Sequence, residues 1–235
     1  SQLNAQIQAN EPNLPLQVNL TVPQAQYPFN NKDPLKIQDF NLTLDGNLTA
    51  AQIQLKSAVS GMGIPNSDLS LQAVAHLSDI AINQLKLNTL NGTADLTGKL
   101  NWRNGVEWNG HLALAKMPLN AYLADFPAII SGSLNSQGKI TQDKQQISVS
   151  DIDLLGSLSQ RPLSLTGNLH MAEQPLLNVP QLTFTYGDNK INAQGNLGSV
   201  SDFTLDINAP NLSGLLTGLS ASVNGKTTVT GNIMH

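Results

Sequence analysis

The feature that most restricts this chain is its period. Apolar and polar residues alternate one by one in LPLQVNLTV at 14–22, FNLTLDGNL at 40–48, AQIQLKSAV at 51–59, LSLQA at 69–73 and TADLTGKLNW at 93–102. The alternation continues through VEWNGHLAL at 106–114, ISGSLNSQGKI at 130–140, QISVSDIDL at 146–154, QLTFTYG at 181–187, DFTLDINA at 202–209 and SVNGKTTVTGNI at 222–233. Successive side chains of a strand point to opposite faces, so each segment offers one apolar face and one polar face. Strands of that kind belong in antiparallel or meandering sheets, and the chain is expected to be all-β with little helix.

Turn residues stand between the runs. Arg103-Asn104-Gly105, Gln142-Asp143-Lys144 and Gly187-Asp188-Asn189 each separate two alternating segments and predict hairpins. Two stretches depart from period two: PLNAYLADFPAII, where Leu119, Leu123 and Phe126 have helical spacing, and NLSGLLTGLS, where Leu212, Leu215, Leu216 and Leu219 do. Each predicts one or two helical turns across an edge or end of the sheet.

The chain also repeats itself. INQLKLNTLNGTADLTGKL at 82–100 aligns without a gap with VPQLTFTYGDNKINAQGNL at 179–197, matching Leu85 to Leu182, Leu87 to Phe184, Gly98 to Gly195 and Leu100 to Leu197. Gly132 and Gly138 then match Gly225 and Gly231. The expected organisation is a lead-in β segment at 1–81, a first β repeat at 82–178 and a truncated second one at 179–235, all in one continuous elongated sheet excised from a longer chain.

Glycines recur inside the apolar stripe. In LSLTGNL at 163–169, Leu163, Leu165, Gly167 and Leu169 share one face, and Gly46, Gly98, Gly132, Gly195, Gly225 and Gly231 occupy similar places. A strand-interior glycine weakens a strand by roughly 0.5–1 kcal/mol, so its recurrence points to bends, bulges or close backbone approach. Curvature about the apolar face is the simplest expectation. A long apolar face is rarely left bare, which leaves a filled sandwich or a trough holding an apolar partner. Ten aromatic residues in 235 weigh against a sandwich, whose interior large rings usually fill.

Composition narrows the function. Twelve Lys and Arg against 16 Asp and Glu leave no basic stripe for a nucleic-acid backbone, while 26 Asn, 19 Gln, 19 Ser and 15 Thr make the polar side neutral. There is no cysteine, and His76, His111, His170 and His235 show no metal-ligand spacing. GSLNSQGKI at 132–140 and GLSASVNGKT at 218–227 resemble phosphate loops, but their spacing is wrong and both fall in alternating strands. No G-x-S-x-G elbow occurs and the carboxylates are scattered, so no enzymatic activity, cofactor or metal is expected. No apolar run approaches the length of a membrane helix, and the amino terminus lacks signal-peptide features.

The stretch DFNLTLDGNL, the span GTADLTGKLNWRNGVEWNGHLAL and the closing LDINAPNLSGLLTGLSASVNGKTTVTGNI, taken in order, resemble the periplasmic part of the TamB family, from about residue 35 to residue 233. That family is similar to the AsmA-like and bridge-like lipid transfer proteins. The resemblance implies a curled sheet forming a U-shaped, taco-like groove with an apolar interior. It also implies a Gram-negative periplasmic bridge anchored in the inner membrane, meeting a TamA-type outer-membrane barrel through parts absent from this chain. Phospholipids would move along the groove for outer-membrane biogenesis. Acyl chains would then lie along Leu44, Leu48, Leu96, Leu100, Leu112, Leu114, Leu134, Leu165, Leu169, Leu197, Leu205, Val223 and Val229. An alternative of another class is a scaffold or chaperone that assists autotransporter and other outer-membrane protein assembly by offering a strand edge. A sugar-binding solenoid would need aromatic platforms on the polar face, whereas Trp102 and Trp108 have stripe parity.

Overall fold

A computed structural model describes residues 2–7, 15–28, 33–47, 49–119, 126–215 and 218–232. The chain divides into two compact units, Ser1–Asn104 and Gly105–His235. In the first unit the strands are β1 (Gln2–Ile7), β2 (Pro15–Tyr27), β3 (Leu35–Asn47), β4 (Ala50–Gly61), β5 (Ile64–His76), β6 (Asp79–Thr89) and β7 (Gly92–Asn101). The second holds β8 (Val106–Pro118), β9 (Ala128–Ile140), β10 (Gln145–Leu158), β11 (Arg161–Met171), β12 (Leu177–Tyr186), β13 (Asn189–Leu197), β14 (Ser201–Ala209) and β15 (Val223–Gly231). Within each unit every strand pairs antiparallel with the next in sequence, which is the all-β meander that the alternation predicts.

Tight turns join many of the strands. Gly187 and Asp188 separate the paired residues Tyr186 and Asn189, and Thr141 donates its N–H to Lys144 O at 2.8 Å across the Gln142-Asp143-Lys144 turn. Arg103 and Asn104 also form a turn, with the Arg103 N–H donating to Asn101 Oδ1 at 3.0 Å. Ser159 and Gln160 take φ values of +51° and +66° between Leu158 and Arg161, the left-handed pair that matches strand twist.

The helical spacing of residues 212–219 does not produce a helix among the described residues. Gly214 and Leu215 form a turn instead, and Gly214 and Gly218 hold φ values of +80° and +76°, which a right-handed helix cannot contain. The other expected helix, in PLNAYLADFPAII, lies largely outside the described residues.

The alternation expected to run unbroken through QISVSDIDL is interrupted. Val149 pairs with Leu169 and Ile152 with Gly167, so Ser150 and Asp151 together oppose Asn168 in a β-bulge. The extra residue shifts parity by one. The apolar residues shift with it, from Ile147 and Val149 before the bulge to Ile152 and Leu154 after it, so one face stays apolar along the whole strand.

The same device recurs in β3 between Gln38 and Asn41, in β6 between Ile82 and Leu85, in β8 between Leu114 and Met117, and in β12 between Val179 and Leu182. Asp39, Lys116 and Asp151 sit at three of these bulges with φ near +50°. Side chains across the ladder satisfy the freed amides: Ser131 Oγ accepts the Lys116 N–H and Asn168 Oδ1 accepts the Asp151 N–H, both at 2.8 Å. The bulges of β6 and β12 are also 97 residues apart, the offset of the sequence repeat, and they oppose the matched strands carrying Gly98 and Gly195.

Candidate functional site

Antiparallel partners point to the same face, so the registers define rows that run across the strands. In the first unit one row is Leu20, Leu42, Leu55, Leu71, Leu85 and Leu96, and the next is Val18, Leu44, Ile53, Ala73, Ile82 and Gly98. A third row joins Leu16, Gly46, Ala51, Ala75, Ile80 and Leu100. On the opposite face the matching row is Thr21, Asn41, Lys56, Ser70, Lys86 and Asp95.

The second unit is built likewise. Leu114, Gly132, Leu154, Leu165, Phe184, Ile191, Ile207 and Gly225 form one row across β8 to β15. Behind it, Leu112 pairs with Leu134, and Ile152, Gly167, Leu182, Ala193 and Leu205 continue the line. Ser133, Asp153, Thr166, Thr183, Asn192, Asp206 and Lys226 line the other face.

These apolar faces are only partly covered. Leu44, Leu96, Leu100, Leu112, Leu114, Leu134, Leu165, Leu169, Leu197, Leu205 and Val229 are all half-buried on them, neither packed in a closed core nor bare. Val223 is 44% exposed where it pairs with Ala209, and Leu48 lies outside the described residues. The registers add side chains that period counting missed, among them Ile82, Leu85, Leu154, Leu182 and Phe184. Each belongs to a strand whose parity changes at a bulge, and the one legible signal was that change of apolar parity.

The stripe glycines differ in their surroundings. At Gly46, Gly132, Gly167 and Gly195, all with positive φ, an added Cβ would lie between 1.9 and 2.3 Å from a carbonyl oxygen of the neighbouring strand. Gly225 and Gly231 stand in open space, and Gly98 pairs with Ile82 beside the β6 bulge. Gly138 is covered differently, by the indole of Trp108, whose Nε1–H donates to Ser136 Oγ at 3.1 Å.

One end of the second unit's apolar face is closed. Ala128, Leu158, Leu163 and Tyr186 are buried there, with Leu119, Phe126, Ile130, Phe184 and Leu215 packed against them. Arg161 is the one charged residue among the described rows of this face. Its guanidinium lies 4.8 Å from the centroid of the Tyr186 ring. At the other end, Ile147, Met171, Ala172 and Leu176 line a cavity of about 170 Å³ with Gln145 and Glu173, and Met171 and Leu176 are 47% and 48% exposed. Among the described residues no group of three or more His, Asp or Glu side chains could hold a metal ion. No described helix is long and apolar enough to cross a membrane.

The family model described as TamB, N-terminal domain, matches residues 1–235. The translocation and assembly module subunit TamB of Haemophilus influenzae is 39% identical over 235 residues, which is 99% of this chain and 18% of that protein. The chain thus spans less than a fifth of the length of this relative. No solved structure matches it. Through the whole-length family match and the identity to that relative, the chain belongs to the TamB family.

Proposed function

We propose that the apolar faces of this chain carry the acyl chains of phospholipids, in a groove that forms part of a periplasmic bridge between the inner and outer membranes. The observation that carries this reading is the set of half-buried aliphatic rows, uninterrupted by charge until Arg161 at one end. Burial of methylene groups is worth about 0.8 kcal/mol each, so a two-chain lipid is held out of water by any stretch of such a face. Leucine follows leucine from strand to strand, so successive positions are close in energy. A chain can then shift along the rows without losing much contact. The chain acts without catalysing a reaction or holding a cofactor. In a longer protein, an inner-membrane anchor and a TamA-type barrel would be met through other segments.

The test is Leu182→Asp against Gln181→Asp, each in the full-length protein, with bound phospholipid extracted and quantified. Leu182 stands between Gly167 and Ala193 on the apolar face, whereas Gln181 is exposed. Loss of lipid at 182 alone supports the reading. Equal lipid in both variants contradicts it.

A second reading draws on the relative's name, translocation and assembly module subunit. In it the chain is a scaffold that offers a strand edge to an outer-membrane client by β-augmentation. It predicts peptide crosslinks along a strand such as β15 and no lipid adducts on the apolar rows.

A further inference from the structure

Residues 211–215, in the connection from β14 to β15, lie over the closed end of the second unit's apolar face and form no strand there. Side chains of the sheet hold them by their backbone. Arg161 Nη1 donates to Asn211 O at 3.2 Å and to Ser213 O at 3.1 Å, and the Tyr186 hydroxyl donates to Ser213 O at 3.1 Å. Asn189 grips the Asn211 peptide from both sides, accepting its N–H at 2.9 Å and donating to its carbonyl at 2.6 Å. Ser159 Oγ donates to Gly214 O at 3.2 Å. The segment's own apolar contribution to the buried cluster is Leu215.

The segment is therefore a separable piece. It contributes a single bridge residue, Ser213, and no strand, and its Leu212 N–H donates to Ala221 O at 2.9 Å within the same connection. The side-chain bonds from the sheet end on its backbone groups, and Gly214 and Gly218 stand at left-handed φ on either side of Leu215. Beneath it, Leu163 and, one row nearer the closed end, Leu158 are buried, whereas Leu154 and Leu165, one row further in than Leu163, are half-buried.

We propose that residues 211–215 form a latched strap that stops the acyl-chain track of the second unit at its Leu154 and Leu165 row, and that releasing the Arg161 and Tyr186 contacts extends the track to Leu158 and Leu163. This inference rests on the acyl-chain reading for its ligand. The strap itself rests on the hydrogen bonds alone. An acyl chain lying parallel to the strands from the Met171 and Leu176 end would cross the rows in turn and halt where the strap begins.

The test uses the full-length protein, vesicles of phosphatidylethanolamine doped with a diazirine-acyl phosphatidylethanolamine, and mass-spectrometric mapping of adducts. In the unaltered protein, adducts are expected on Leu165 and Phe184 and not on Leu158 or Leu163. In the Arg161→Ala, Tyr186→Phe double variant, adducts on Leu158 and Leu163 should rise at least tenfold. Equal labelling of Leu163 in both proteins overturns the proposal. Amide hydrogen exchange of residues 212–215 reads the strap without lipid and should speed up at least tenfold in the variant, with β9 to β13 unchanged as the control for folding. If the double variant does not fold, Tyr186→Phe alone, which keeps the buried ring, should raise that exchange in the same direction. Unaltered exchange in a folded variant overturns the latch. Faster exchange with no adduct on any apolar row keeps the strap and overturns the acyl-chain reading instead.

Discussion

Gly167 pairs with Leu182, and the Cβ it lacks would lie 2.1 Å from the carbonyl oxygen of Gln181. With φ at +132°, Gly167 also holds a backbone conformation that side chains strain. Gly167→Ala is expected to destabilise the chain by about 2 kcal/mol, since both the left-handed backbone and the close carbonyl oppose it. Gly225→Ala, in open space with ordinary φ, should change stability by less than about 1 kcal/mol. Urea unfolding of the two variants side by side checks the contrast.

The β8 bulge predicts two changes of opposite sign. Lys116 is exposed at φ +50°, so Lys116→Gly should stabilise by roughly 1 kcal/mol through relief of left-handed strain. Ser131→Ala removes the acceptor of the Lys116 N–H and should destabilise by about 1 kcal/mol. Thermal melts of the single variants read both.

Deleting Lys116 is a different matter. Without the bulge, one side of β8 changes face, and either Leu112 and Leu114 or Met117 must turn to the polar side. The deletion is expected to abolish the β8 and β9 pairing, seen as loss of protection at those amides of 106–118 and 128–140 that bridge the two strands, although the residue removed is exposed.

Trp108 covers Gly138 across the β8 and β9 ladder. Trp108→Ala should destabilise by about 2 kcal/mol, below the range for a fully buried tryptophan because the ring is only half-buried. Gly138→Val should displace the indole, since a Cβ there would lie 2.2 Å from the ring, and tryptophan fluorescence reports the move.

Much of the fold is legible in the residues themselves. Period two marks the strands, Gly187-Asp188 and Gln142-Asp143-Lys144 mark their turns, and the 82–100 and 179–197 repeat yields two hairpins with bulges at matching positions. The bulges were harder to see. A run such as QISVSDIDL reads as simple alternation unless Val149 and Ile152, three apart, are recognised as neighbours on one face. Leu154 and Leu182, each just past a bulge, therefore join rows that counting from one end of their strand assigns to the other face. Nothing local marks Arg161, Tyr186 and Asn189 as partners of residues 211–215, because those contacts join positions far apart in the chain.

On the proposed function the apolar face, and not its polar reverse, would meet lipid. A photo-crosslinking residue placed at Leu165, with a control at Thr166 on the opposite face, in the full-length protein in cells tests it most directly. Phospholipid adducts at 165 and none at 166 are the expected result. A folded protein with no adduct at 165, or with equal adducts at both positions, would contradict the account.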